Sequence, residues 1–279
     1  MEFDLKRIPI ESEKSIVNSS GTSRHQLKII DGMPSDVEDT LAPPKYYCAT
    51  CPANELNICE ANNRPRTTAF QRLENLHLNS YEQRIPARRI ILHPKEYSEH
   101  MSIICSGWAF SAIILPDGRK QILSFLHSGD VVSDVTPWMN MSRKHVVAIT
   151  DVTLRKFKCS EVKNSFSKRV DMFEIITKLW AEERAQADEL IVSLGRRRGE
   201  GRIAQLILFL MKKLVDRGMV TGQTMMFPLR QSHIADATGL TAVHVSKVLG
   251  DFQRKDLIRI ENRSLAILNA EGLQRIVAS

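Results

Sequence analysis

Phe166, Phe173, Trp180, Ala187 and Leu194 stand seven residues apart, and Val170, Thr177, Arg184 and Ile191 form a companion row four residues further on. Rows spaced four and three over about four heptads commit this stretch to one long helix that pairs with another helix. Packing on its own domain is the alternative. Thr177 and Arg184 interrupt the companion row, so the pairing is expected to be only moderately stable.

The period upstream is different. From about residue 81 to 158, short β-type runs alternate with turn residues. Ile103–Cys105, Trp108–Leu115, Gln121–Leu126 and His145–Phe157 are the expected strands. Pro116-Asp117-Gly118 separates two apolar runs as a hairpin turn, because proline presets φ and glycine accepts a positive one. Ser128-Gly129-Asp130 marks a second turn. Many short strands with regular turns predict an antiparallel roll or barrel. Past the long helix, Arg196-Arg197-Arg198-Gly199-Glu200-Gly201 reads as a hinge. An amphipathic helix from Ile203 to Asp216 then closes at Gly218. Leu257–Ile260, Asn262-Arg263 and Ser264–Ile267 read as a small β-hairpin.

The most specific segment is Gln231–Gly250, QSHIADATGLTAVHVSKVLG. A helix-turn-helix needs a small residue where its helices approach, a glycine at the turn, and apolar residues locking the second helix. Ala235, Gly239, Val245 and Val248 meet those needs in order, with Ile234 and Leu240 completing the small core. Thr241 is a good N-cap. With Val245, Val248 and Leu249 inward, the second helix turns Ala242, Val243, Ser246 and Lys247 outward, with His244 at the margin. Serine and lysine can bond base edges, and valine can touch a thymine methyl. Arg230, Ser232, Arg254, Lys255 and Arg263 are placed for backbone phosphates, which Thr241 could also meet. A helical hairpin that merely packs is the alternative.

Charge supports the DNA reading. Of the formal net charge of +7, all lies in residues 196–279, which hold 14 lysines and arginines against 7 acidic groups. The first 195 residues are balanced. A localised basic excess is the footprint of phosphate binding, although a solvated basic face would also produce it. The longest apolar stretch, Leu206 to Met211, is far short of the ~20 residues of a membrane span. MEFDLKRIPIESEKS lacks the apolar core of a secretory signal, so a cytoplasmic location is expected. There is no glycine-rich nucleotide loop, Ser/His/Asp set or paired-carboxylate site. An enzyme or electron carrier is therefore the disfavoured rival.

Residues 1–45 are polar, poor in aromatics and read as a mobile arm. Three of the five cysteines follow it, Cys48, Cys51 and Cys59, with Cys105 and Cys159 distant. An odd number in a reducing compartment argues against a disulfide framework and raises metal binding. Thiolates on a flexible loop can wrap an iron–sulfur cube. They could equally take zinc with His77 or His93, or act as redox-active thiols.

Ser106-Gly107-Trp108, Pro116-Asp117-Gly118-Arg119, the run Ile122–Val132, the long helix and Gln231–Gly250 with its hairpin together resemble the Crp/Fnr superfamily. The resemblance spans roughly residues 65–279. It implies an α+β fold: an antiparallel β-roll (cupin-like jelly roll), a long dimerisation helix and a C-terminal winged helix-turn-helix. On that frame residues 1–64 form a flexible arm with the cysteine cluster, 65–160 the roll, 161–197 the dimerisation helix, and 198–279 the DNA-binding domain. The partners implied are double-stranded DNA with a palindromic operator, a second copy joined through residues 166–194, and RNA polymerase.

Members that bind cyclic nucleotides carry Gly-Glu and Arg-Ser/Thr pairs. The matching Ser128-Gly129-Asp130-Val131-Val132-Ser133-Asp134 offers carboxylates with no arginine beside them, so no cyclic nucleotide is expected. Cys48-x2-Cys51-x7-Cys59 resembles the Fnr and FnrN cluster, which holds an oxygen-labile [4Fe-4S] centre. The fourth Fnr ligand would fall at Arg155, so Cys159 is the expected fourth ligand and Cys105 the alternative. Fnr readers also carry Glu and Arg around the serine of the second helix, where this chain has Val243 and Lys247 around Ser246. That departure puts the usual Fnr half-site in doubt.

Overall fold

Alternation decides the inner face of the N-terminal half. Val146 and Ala148, then Val152, Leu154 and Phe157, are buried while most of their neighbours are not, as a half-buried strand requires. The structure is a computed structural model and describes residues 79–132, 141–166 and 170–279. Its strands are β1 (Ser80–Ile85), β2 (Ile90–Leu92), β3 (His100–Ser106), β4 (Ala109–Ile114), β5 (Lys120–Leu126), β6 (Val131–Val132), β7 (His145–Ala148) and β8 (Val152–Lys158). They form two four-stranded sheets, β1-β8-β3-β6 and β2-β7-β4-β5, with antiparallel neighbours throughout. This is the expected roll.

One expected strand is two. His145–Phe157 is broken after Ala148, because the chain crosses there from one sheet to the other. The crossing is pinned by local bonds. Ile149 N–H donates to the Trp108 carbonyl (2.7 Å), Trp108 N–H to the Thr150 hydroxyl (2.9 Å), and Ala87 N–H to Asp151 (2.8 Å). The Pro116-Asp117-Gly118 hairpin closes as expected, with Leu115 N–H on the Arg119 carbonyl.

Helix α1 (Cys159–Phe166) follows β8, and the long helix α2 runs Val170–Arg196. The next helix, α3 (Gly199–Asp216), starts four residues before the expected Ile203, so the break is only Arg197-Arg198. Gly199 and Gly201 are helical residues chosen for close approach. A Cβ at Gly201 would lie 3.2 Å from the Ile276 carbonyl, and one at Gly199 2.8 Å from the His244 ring.

The C-terminal domain adds β9 (Val220–Thr221), β10 (Thr224–Met226), α4 (Gln231–Thr238), α5 (Ala242–Arg254), β11 (Ile258–Glu261), β12 (Ser264–Ile267) and α6 (Ala270–Ala278). Its sheet, ordered β11-β12-β10-β9, extends the expected hairpin by two short strands. Asn262 and Arg263 both take positive φ at the hairpin tip. Two apolar cores result. Leu92, Ile104, Leu154 and Phe157 fill the interior of the roll. Trp108, Phe110, Ile122 and Phe125 instead join the core of the C-terminal domain, with Ile203, Leu210, Val245 and Phe252. Among the described residues no helix is long and apolar enough to cross a membrane.

Candidate nucleic-acid interface

Two short helices and a tight turn build the candidate DNA-reading surface. Gly239 ends α4 with φ 67°, a left-handed conformation that favours glycine, and Leu240 N–H returns to the Ala235 carbonyl at 3.1 Å. Thr241 then caps α5: its hydroxyl accepts from His244 N–H at 3.2 Å, a contact typically worth about 1 kcal/mol. Val245, Val248, Leu249 and Phe252 are buried along one face of α5. Burying a side chain of this size stabilises by about 1.5–3 kcal/mol, so the helix is held firmly from behind.

The opposite face is open. Gln231, Ala242, Val243, Ser246, Lys247, Gly250 and Arg254 line a groove of about 490 Å³. Val243 is 81% exposed, unusual for an aliphatic side chain with nothing to repay its hydration. Gln231 donates to the Ser246 hydroxyl at 3.2 Å, tying the first helix to the reading face. Arg254 is paired with Asp251.

Five residues expected from the sequence, Ala242, Val243, Ser246, Lys247 and Arg254, therefore meet on one surface. Arg230, Ser232, Thr241, His244, Lys255 and Arg263 are exposed but do not line the groove. Arg230 sits at the N-cap of α4, Lys255 at the C-cap of α5, and Arg263 at the tip of the β11–β12 turn. His244 lies over Gly199. Gln231 and Gly250 belong to the groove without having been expected there. The spacing Val243–Lys247–Gly250–Arg254, which alternates four, three and four, is the signal that would have found Gly250.

Behind this surface the roll grips the same motif. Lys120 of β5 pairs with Asp236 of α4 at 3.0 Å, and Gln121 donates to the Ala237 carbonyl at 3.0 Å. Phe110 meets the His233 ring at 5.6 Å between centroids. Burial, then Lys120 and Arg230, push the His233 imidazole below its ordinary pKa.

A second contact is ionic and buried. Asp130, on the turn after β5, accepts from Lys213 of α3 at 2.7 Å and from Arg217 at 3.0 Å. Burial alone would raise the Asp130 carboxyl, but Lys213, His127 and Arg217 together hold it well below the usual carboxylate range. His127 is fully buried beside it, and desolvation pushes its imidazole down to about 4. The absence of an arginine near Asp130 is therefore a property of the sequence and not of the fold. Arg217 and Lys213 reach it across the domain boundary, and both are committed to the carboxylate. Ser133 and Asp134 lie outside the described residues.

Cys48, Cys51 and Cys59 also lie outside the described residues, as does His77. Cys159 opens α1 and is 4% exposed in the interior of the roll, where burial pushes its thiol up. Cys105 is half-buried on β3. Arg155, at the Fnr-type ligand position, faces Glu82 and Ser80 of β1. His93 is exposed and stacks edgewise on His145 at 6.2 Å.

A β-roll, a long helix and a winged helix-turn-helix with an open reading face define a DNA-binding transcription regulator. The Crp-like helix-turn-helix domain matches residues 201–276, and the cyclic nucleotide-binding domain matches residues 82–169. The chain belongs to the Crp/Fnr superfamily. It is 24% identical over 244 residues to the nitrogen fixation regulation protein FixK of Bradyrhizobium diazoefficiens, covering 86% of this chain and 97% of that one. It is 25% identical to the transcriptional activatory protein AadR of Rhodopseudomonas palustris, over 88% of this chain and all of that one. The transcriptional activator protein FnrL of Cereibacter sphaeroides is 21% identical over 80% of this chain and 88% of that one. Among solved structures, FixK2 from Bradyrhizobium japonicum superposes with a TM-score of 0.63 at 25% identity, covering 72% of this chain and 99% of that one. These relatives are transcription regulators and not enzymes.

Proposed function

We propose that this chain acts as a homodimer that binds a palindromic operator in the cytoplasm and meets RNA polymerase there. The observation that carries the dimer is the seam of α2. Thr177, Trp180, Arg184, Ala187 and Ile191 are all exposed, with Trp180 at 45% and Ile191 at 67%. Trp180, Ala187 and Ile191, exposed at heptad spacing with Thr177 and Arg184 interrupting them, are what a second copy would cover. Two reading helices would then sit about 34 Å apart, matching successive major grooves. Val243, Ser246 and Lys247 read bases. Arg230, Ser232, Thr241, His244, Arg254, Lys255 and Arg263 hold the backbone. Trp180→Glu is expected to turn the sedimenting dimer into a monomer at micromolar concentration. An intact dimer would place the interface elsewhere.

The sensor reading assigns a [4Fe-4S] cluster to Cys48, Cys51, Cys59 and Cys159. One observation supports bringing the clustered cysteines towards Cys159. Asn79 donates to Glu161 at 3.1 Å, which brings the chain following the arm to the first turn of α1, two residues past Cys159. Cys59 precedes Asn79 by 20 residues, and an extended chain spans about 3.3 Å per residue, so the arm has ample reach. Such a cluster would supply an oxygen- and redox-sensitive centre. The commitment of Lys213 and Arg217 to Asp130 supports the absence of a cyclic-nucleotide effector. The burial of Cys159 is the specific observation that favours a rival. In it Cys48, Cys51 and Cys59 act as zinc ligands or redox thiols without Cys159. Iron and sulfide per protomer after anaerobic purification decide between them: about four of each supports the cluster, and zinc or no metal supports the rival.

A further inference from the structure

The groove over α5 has a one-sided chemistry. Its α5 lining is Ala242, Val243, Ser246, Lys247, Gly250 and Arg254, and no side chain among them carries a carboxylate or an amide oxygen. Asp251, the one acidic residue of α5, does not line the groove and is paired with Arg254. Lysine and arginine only donate hydrogen bonds, and Ala242 and Val243 offer only methyl groups. Ser246 is the one α5 side chain lining the groove that can either donate or accept. Its state therefore decides what the face can read.

Gln231 of α4 decides that state. Its amide nitrogen donates to the Ser246 hydroxyl at 3.2 Å. One lone pair of the hydroxyl is thus used within the motif, and the hydroxyl proton must point elsewhere. Among the described residues that proton has no acceptor. A donor left unmatched when a duplex closes over it is costly, whereas a spare lone pair is better tolerated. Accepting from the amide also polarises the O–H bond and makes it a stronger donor.

We propose that Gln231 is a positioning residue that sets Ser246 as a hydrogen-bond donor, so that α5 reads the acceptor and methyl edges of guanine and thymine. This rests on the reading of α5 as the base-contacting helix. In the major groove guanine presents two acceptors, N7 and O6, and thymine presents O4 and its methyl. Cytosine presents the N4 donor, and adenine couples its N7 acceptor to the N6 donor. Neither donor finds a matching acceptor on this face of α5.

A duplex selected by the full chain from a random library is the probe, and base preference is read at each position by competition. Uracil in place of thymine, which removes the methyl, or 7-deazaguanine in place of guanine, which removes N7, should weaken binding about fivefold at the contacted positions, the scale of one net contact. Ser246→Ala and Gln231→Ala should each relax preference about fivefold at one and the same position, and the double variant no further. Gln231→Glu reverses the bond, because its carboxylate accepts the hydroxyl proton and leaves Ser246 a lone pair for the duplex. The preferred base at that position should then switch to cytosine or adenine, whereas an added charge alone would weaken all sequences alike. Losses that add in the double variant, or an unchanged base in Gln231→Glu, would overturn the proposal and leave α5 as the reader. Selection of no sequence at all would overturn that reading and the proposal with it.

Discussion

α4 and α5 belong to one motif but face opposite surroundings. α4 is gripped by the roll through Lys120, Gln121 and Phe110. α5 turns Val243, Ser246 and Lys247 to open solvent. The reading face is thus set by what lies behind it, while its own outer side chains contribute little to folding. Substitutions at the junction should act on stability, and substitutions on the outer face on recognition alone.

The largest effect is expected at Asp130. Asp130→Asn leaves the part-buried Lys213 and Arg217 without their counter-charge, which costs on the order of 3 kcal/mol, the lower end for a buried pair because both cations keep some access to water. A urea midpoint equal to that of the unchanged chain would mean that the ionic contact does not hold the domains together. Acid tests the same region. His127 titrates near about 4 when folded and near 6.5 when unfolded, so the unfolded chain binds more protons between those values. Stability should therefore fall as pH drops through this window, by roughly 3 kcal/mol in all. Asp130 adds to the loss as pH falls through the ordinary carboxylate range and below, where the unfolded carboxyl takes up a proton while the folded one is still held ionised. His127→Asn should flatten the pH dependence between 6.5 and 4, and an unaltered profile would point to another group.

Lys247→Ala lies on the other side of the comparison. It should reduce discrimination between operator and scrambled DNA by about 1–3 kcal/mol and leave the urea midpoint unchanged. Unchanged discrimination would remove Lys247 from the base-reading set. The smallest effect is expected at Gln121→Ala, which loses the bond to the Ala237 carbonyl at about 1 kcal/mol of stability. Loss of DNA discrimination without loss of stability in that variant would break the division between the two faces.

The same division explains what was legible in the sequence. Gly239, Thr241 and the Val245–Val248 pair act within a few residues of one another, so local spacing revealed both the turn and the buried face. The roll was legible as a class for the same reason, through Pro116-Asp117-Gly118 and alternating strands. The partners of Asp130 stand 83 and 87 residues away, and no local pattern signals such a contact. The break after Ala148 was hidden because β7 and β8 continue the same alternation on different sheets. Gly199 and Gly201 looked like a hinge, since the need for close approach to His244 and α6 exists only in the folded chain.

The central claim, specific recognition of DNA by two copies of α5, is tested most directly by selection from a random duplex library with the full chain. The account predicts enrichment of an inverted repeat whose half-site centres lie about 10–10.5 bp apart, one helical turn. Enrichment of a single half-site, or of no sequence at all, would contradict it.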